Sequence, residues 1–368
     1  MNKPEIRTCL ELIKPYQPGK PVEEVEREMG LKGVIKMASN ENPAGPSPKA
    51  VEAMKTHAEK MHVYPDGNCY YLKESLAEKL GVKPDQLIFG NGSDELLSFL
   101  TLAYINPGDE AVMVTPSFSE YVFAMRLMGG EIKKVPLEEG TFEYNLNKVL
   151  AAVNEKTKLI FLCSPNNPSG TVIKKGDLDR FIEKLPEKVL VVMDQAYLEF
   201  ATDPDHPDGI EYVKKGLPVV ALRTFSKIYG LAGLRVGYGI APEEVAADIN
   251  RVQEPFNVNA MAQAAALAAI NDEKHLEKSR QLVNESRKHL TDGFSELGLK
   301  PVPDQANFCF VDIKVDSKEA FQALLKRGVI VRTGDIFGFP TYLRITYGTI
   351  EQNNKLLAAL KEVLEELQ

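Results

Sequence analysis

Cysteine is scarce and scattered in this chain. The four that occur (Cys9, Cys69, Cys163, Cys309) show no CxxC spacing, so neither a disulfide framework nor a zinc site is indicated. The five histidines (His57, His62, His206, His275, His289) are as widely dispersed and offer no metal cluster. No block of basic residues occurs and the formal net charge is −8, which argues against a nucleic-acid surface. No apolar stretch reaches the length of a membrane span; the Ala-rich run from Ala260 to Ile270 falls short. Met1-Asn2-Lys3-Pro4 does not open a signal peptide. These absences lead to the expectation of a cytoplasmic protein without a metal, a nucleic-acid partner or a membrane.

What is present is length and apolar content. The chain has 368 residues, 44% of them hydrophobic, enough for one large domain and one smaller. The N-terminal stretch carries one short amphipathic helix, Val22 to Met29, then a loop by composition, Ser39-Asn40-Glu41-Asn42-Pro43-Ala44-Gly45-Pro46. Ser47-Pro48 signals the start of a helix over Lys49–Lys60, and Tyr64-Pro65-Asp66-Gly67 reads as a turn before a helix over Tyr70–Leu80. From residue 86 apolar runs alternate with helical patterns. Strands are expected at Gln86–Phe89, Ala111–Val114, Glu131–Val135, Leu159–Cys163, Val189–Met193, Val219–Leu222 and Val236–Ile240. Helices are expected at Asp94–Tyr104, Ser119–Met128, Leu146–Val153 and Lys175–Lys184. Runs without strict alternation suit a sheet covered on both faces, and the βαβα order predicts a mostly parallel α/β sheet.

Beyond a junction at Arg251–Asn259 the alternation stops. Ala260 to Leu297 is helical with a break near Asn271; strands follow near Phe308–Ile313 and Tyr342–Tyr347, with helices at Ser317–Lys326 and about Glu351–Glu366. This reads as a smaller α+β domain. The expected division is an N-terminal segment, 1–45, joining a small domain, 256–368, and a large domain, 46–255.

Ligands of open α/β sheets sit beyond the carboxyl ends of the strands, and polar residues cluster there. After the Val219 run come Arg223-Thr224-Phe225-Ser226-Lys227, then glycines at 230, 233 and 237, with Arg235 among them. The Lys227 amine can form a Schiff base with an aldehyde, while Ser226 and Arg235 can hold a phosphate on the same molecule. Pyridoxal phosphate carries both groups. Taken alone, a Ser-Lys pair is far more often a surface lysine on a turn. Gly90-Asn91-Gly92-Ser93-Asp94 opens a helix whose N-terminus favours a phosphate, though Ser and Asp also simply cap helices. Phe118, in Pro116-Ser117-Phe118, can stack on a flat ring or belong to the core. Asn167, in Ser164-Pro165-Asn166-Asn167-Pro168, can donate to a ring oxygen or serve only a turn. Asp194, ending a buried strand, must be paired or used. A pyridine nitrogen would use it, and Tyr197 could bond the neighbouring ring oxygen; a plain helix cap is the other reading. Arg344, inside the apolar Tyr342-Leu343-Arg344-Ile345 run, suits a bidentate carboxylate or an internal salt bridge, and Arg332 in Val331-Arg332-Thr333-Gly334-Asp335 is a second such candidate.

As an ordered set these segments, with Ser39-Asn40-Glu41-Asn42-Pro43, Tyr64-Pro65-Asp66-Gly67 and Gly230-Leu231-Ala232-Gly233-Leu234-Arg235, resemble the fold type I pyridoxal-phosphate enzymes, and most closely the histidinol-phosphate aminotransferases. The resemblance runs over nearly the whole chain. It implies that Lys227 is the Schiff-base lysine and proton carrier, and that Asp194 pairs with the pyridine nitrogen. Tyr197 and Asn167 then bond the phenolic oxygen, and Phe118 stacks on the ring where many relatives have Tyr. Ser226, Arg235 and the amides of Ser93 and Asp94 hold the phosphate. Tyr64 reaches the cofactor phosphate of a neighbouring subunit, which implies a homodimer with a shared site. Arg344, with Arg332 and Asn40, faces the substrate. Gln195 replaces the more usual Glu, at a position expected to point away from the ring. The implied reaction moves an amino group from histidinol phosphate to 2-oxoglutarate, in histidine biosynthesis. An aromatic or broad-specificity aminotransferase, a phosphothreonine-type decarboxylase and a non-catalytic cofactor-binding protein remain alternatives.

Overall fold

The computed structural model describes residues 3–13 and 19–367. Of the expected N-terminal segment, positions 1–2 and 14–18 therefore lie outside the described residues. Chain order runs α1 (Val22–Met29), β1 (Ile35–Lys36), α2 (Pro48–His57), α3 (Tyr70–Leu80), β2 (Leu87–Gly90), α4 (Ser93–Tyr104), β3 (Glu110–Thr115) and α5 (Glu120–Leu127). It continues through β4 (Glu131–Pro136), α6 (Leu146–Ala151), β5 (Thr157–Cys163), α7 (Lys175–Ile182), β6 (Leu190–Asp194), α8 (Gly209–Lys214), β7 (Val219–Thr224), β8 (Gly237–Ile240) and α9 (Glu243–Asn250). The remainder is α10 (Ala260–Ile270), α11 (Glu273–Glu296), β9 (Phe308–Asp312), α12 (Ser317–Lys326), β10 (Val329–Ile330), β11 (Arg332–Thr333), β12 (Tyr342–Thr346) and α13 (Ile350–Leu367).

A seven-stranded sheet in the order β2-β8-β7-β6-β5-β3-β4 forms the centre. All its pairs are parallel except those of β8, which runs antiparallel to β2 and β7. Successive side chains of a strand face opposite sides, and the core divides accordingly. Ile160, Leu162, Val191 and Met193 pack on one face, Leu159, Phe161, Cys163 and Val192 on the other. Both faces are buried, so these strands read as continuous apolar runs.

A three-stranded antiparallel sheet, β11-β12-β9, serves the C-terminal part. β1 pairs in parallel with β10, Ile35 opposite Val329, which ties the N-terminal segment to that part. α10 packs on α2 and α3. Ser47 caps α2 by accepting from the amides of Lys49 and Ala50, with Pro48 in the first turn, as its sequence signals.

Most expected elements recur with ends displaced by a residue or two. β1, α8, α9, β10 and β11 are additional. α8 is six residues long and β10 and β11 are two each, too short to display a period. Among the described residues no helix is long and apolar enough to cross a membrane.

Candidate active site

One cavity of about 290 Å³ opens at the carboxyl ends of β5, β6 and β7, where they face the C-terminal sheet. Asn40, Ser93, Asp94, Phe118, Asn167, Asp194, Tyr197, Ser226, Lys227, Arg235, Arg332 and Arg344 all line it. Of the residues expected to form the site, Tyr64 alone is elsewhere. It is 81% exposed and stacks on Phe256 with ring centroids 4.9 Å apart.

Lys227 lies in the turn after β7. Its Nζ donates to the Ser39 carbonyl at 3.2 Å and stands 5.6 Å from the centre of the Tyr197 ring. Burial, then the Arg344 guanidinium, pulls its pKa down to about 8, against the opposing pull of Asp94 and Glu41. An amine of this kind is neutral for a useful fraction of molecules near neutral pH.

Asp194 is the last residue of β6, not the residue after it, and it is buried. Its Oδ2 accepts from the Tyr121 hydroxyl at 2.7 Å and its Oδ1 from the Ala196 amide at 3.2 Å. Burial raises its pKa to about 6, while the Tyr121 bond and then the Ala196 amide restrain the rise. Gln195, next along, points away from the cavity: its side chain accepts from the Gly209 amide and donates to the Pro207 carbonyl. Tyr197 accepts from Asn40 Nδ2 at 3.0 Å, which leaves its own O–H as a donor. Asn167 Oδ1 accepts from Arg344 Nη1 at 2.7 Å, which leaves its Nδ2 hydrogens for another acceptor.

The opposite end of the cavity is built for an anion. Gly92 is the N-cap of α4 and contributes no side-chain acceptor, so the N–H groups of the first turn are left for a ligand. Ser226 and Arg235 adjoin them. Arg235 takes a left-handed backbone (φ 54°), rare for a residue with a side chain. Its guanidinium reaches Ser226 Oγ at 3.5 Å and the Asp94 carboxylate at 3.2 Å. The space is kept by glycine: a Cβ on Gly92 would come 2.5 Å from Arg235 Nη2, and one on Gly237 2.5 Å from the Ser93 amide nitrogen.

Toward the C-terminal sheet, Arg332 and Arg344 are direct cross-strand partners of β11 and β12. Arg344 is buried, with its guanidinium 5.4 Å from the centre of the Phe308 ring, and it donates to the Ala38 carbonyl. Arg332 also borders a second, larger cavity beside Phe123, Arg126 and Ile336. Sequence reasoning passed over Tyr121, Glu41 and Phe337. Tyr121 follows Phe118 by one helical turn, a spacing that could have flagged it.

An amine, a buried carboxylate, two ring-oxygen donors and an anion cradle in one cavity fit pyridoxal phosphate. The cradle and the donor set both agree with that group.

Residues 32–360 match the family model described as aminotransferase class I and II. A histidinol-phosphate aminotransferase of Moorella thermoacetica is 55% identical over 98% of this chain and 93% of its own length. Histidinol-phosphate aminotransferase 2 of Carboxydothermus hydrogenoformans is 51% identical, over 98% of this chain and 99% of its own. Among solved structures, the histidinol-phosphate aminotransferase of Sinorhizobium meliloti in complex with pyridoxal-5'-phosphate superposes with a TM-score of 0.90 at 29% identity, covering 98% of each chain. A double mutant of Thermus thermophilus aspartate aminotransferase reaches 0.85 at 25% identity, over 98% of this chain and 100% of that one. The architecture is that of the fold type I aminotransferases, and the chain belongs to the aminotransferases of class I and II.

Proposed function

We propose that the enzyme moves the amino group of histidinol phosphate to 2-oxoglutarate, giving imidazole acetol phosphate and glutamate, in cytoplasmic histidine biosynthesis and as a homodimer. One observation carries the substrate reading: Arg332 and Arg344 stand directly opposite each other on β11 and β12, in the cavity that holds Lys227. Like charges in such a pair repel. A phosphate carrying about −1.5 to −2 charges near neutrality offsets that repulsion, and so do the carboxylates of 2-oxoglutarate in the return half of the cycle. The relatives named above support the same reading.

The cofactor is pyridoxal phosphate, which supplies an aldehyde to capture the amino donor and a ring to take up the electron pair released from the Cα–H bond. Lys227 Nζ, in its neutral form, would remove that proton and then deliver it to the carbon that had been the cofactor's aldehyde, as general base and then acid. With the cofactor bound, Asp194 would hold positive charge at the ring nitrogen, Tyr197 and Asn167 would donate to the ring oxygen, and Phe118 would cover a ring face. Ser226, Arg235 and the first-turn amides of α4 would hold its phosphate and so keep the ring in place. Arg344, Arg332 and Asn40 orient the donor. In this reading residues 46–255 form the cofactor domain and 256–368, with 1–45, the smaller domain that excludes water. The parallel β1–β10 pairing supports the latter join. The four free cysteines suit a reducing compartment.

A panel of amino donors compared by kcat/KM tests the proposal. Histidinol phosphate should be preferred, and histidinol without the phosphate should fall by about 10- to 150-fold, the loss of one charge-assisted contact. Equal use of the two, or a better rate with phenylalanine, sinks the substrate assignment.

A further inference from the structure

Asp194 is placed to carry a charge in the interior, and something must keep it charged there. The Ala196 amide bonds one oxygen at 3.2 Å; the shorter contact, 2.7 Å, comes from the Tyr121 hydroxyl on the other. An O–H to carboxylate bond of this length has the character of a charge-assisted one. Tyr121 is fully buried on α5, stacked on Phe161 with ring centroids 4.8 Å apart and planes within 3°. It also meets Phe118 edge-on, centroids 5.7 Å apart. The ring is therefore clamped on two sides, and its hydroxyl can be aimed at Asp194 without a further loss of freedom.

We propose that Tyr121 is a positioning residue for the reaction: its hydroxyl keeps Asp194 ionised and fixes the carboxylate plane, so that Asp194 can pair with the cofactor's ring nitrogen. The inference rests on the reading of Asp194 as that partner. The groups that face Asp194 assign the task to Tyr121. Cys163 on β5 has its thiol pushed up by burial and is neutral. Tyr144 donates to the Cys163 carbonyl and the Tyr197 oxygen accepts from Asn40, so neither is committed to Asp194. Asp94 opposes ionisation of Asp194, and Lys227 favours it less than the Tyr121 bond does. Tyr121 in turn has its own ionisation suppressed, first by burial and then by the Asp194 charge, so it remains a donor.

The test uses full-length protein stripped of cofactor and titrated with pyridoxal phosphate by fluorescence, from pH 5.5 to 9, for wild type, Tyr121→Phe, Asp194→Asn and the double variant. Tyr121→Phe keeps the ring and its stack. Wild-type affinity should fall as pH drops through the titration of Asp194; in Tyr121→Phe that fall should move up by about one to two pH units, the worth of one hydrogen bond to a charged group. At pH 7 the variant should bind about two- to tenfold more weakly, whereas the same substitution in the Asp194→Asn background should leave affinity nearly unchanged, because the charge it serves is gone. An unmoved pH profile, or an equal loss in both backgrounds, overturns the inference and leaves Asp194 as the ring partner. If Asp194→Asn alone leaves affinity unchanged, the underlying reading of Asp194 fails, and this inference with it.

Discussion

In the proposed reaction Lys227 has to be neutral to attack an aldehyde and to accept a proton, and its surroundings bias it that way. Burial contributes most and Arg344 next, bringing the pKa down to about 8; Asp94 and Glu41 act in the opposite sense. The sign follows: below about pH 8 the ammonium predominates, above it the amine. In the proposed reading Arg344 both acts on Lys227 and binds the substrate anion, and one substitution read in two ways separates the two effects. In Arg344→Gln the like charge that disfavours the ammonium is removed, so the Lys227 pKa should rise. The rate at which cofactor-free protein captures pyridoxal phosphate, followed by absorbance across pH, should then reach its midpoint at higher pH than in wild type. The same variant should lose about 10- to 150-fold in kcat/KM toward anionic donors and acceptors alike. A midpoint that stays or moves down would show that Arg344 does not act on Lys227.

At the scale of elements, the anion cradle depends on how closely β8 approaches the first turn of α4. Gly237 makes that approach: a Cβ there would sit 2.5 Å from the Ser93 nitrogen and 2.6 Å from the Gly92 carbonyl carbon, both backbone atoms that cannot swing aside. Gly237→Ala should push the helix N-terminus outward. Expected are a loss of about 1–3 kcal/mol of stability in thermal or urea unfolding and weaker cofactor binding. Gly233→Ala, where a Cβ would meet nothing within 4 Å, is the control and should be close to neutral. The elements carrying the site were legible in the sequence because each is a buried apolar run that stops at a polar or small residue: Val219 to Leu222 before Ser226-Lys227, Val189 to Met193 before Asp194. What escaped was of another kind. That Arg332 lies opposite Arg344 depends on a pairing of β11 and β12 whose shorter member spans two residues, too few for any pattern to betray. The part played by Tyr121 depends on which face of α5 meets β5 and β6, a packing fact that spacing from Phe118 suggests but does not decide.

The whole molecule poses a question through Tyr64. This phenol is 81% exposed, outside the cavity, amid further exposed apolar side chains: Val63, Tyr70, Tyr71 and Phe256. Exposed apolar side chains of this size, with Tyr64 stacked on Phe256, suit a surface that associates. In a two-fold assembly one patch is used by both subunits, and such an arrangement can carry Tyr64 of each subunit to the anion cradle of the other. The consequence is functional complementation. A Lys227→Ala subunit has a dead site but an intact Tyr64; a Tyr64→Ala subunit, carrying a further partner-facing lesion if the single change is mild, has an intact Lys227. Refolded together at equal amounts, half of the dimers should be hybrids. Each hybrid contains one complete site, in the subunit that retains Lys227. Activity per subunit should therefore approach about a quarter of wild type from two parents that are each nearly inactive, by random pairing across the two-fold interface. Light scattering at the assay concentration reads the assembly directly. A fully active monomer, or a refolded mixture no more active than the mean of its parents, would show that each chain completes its own site and that Tyr64 serves another purpose.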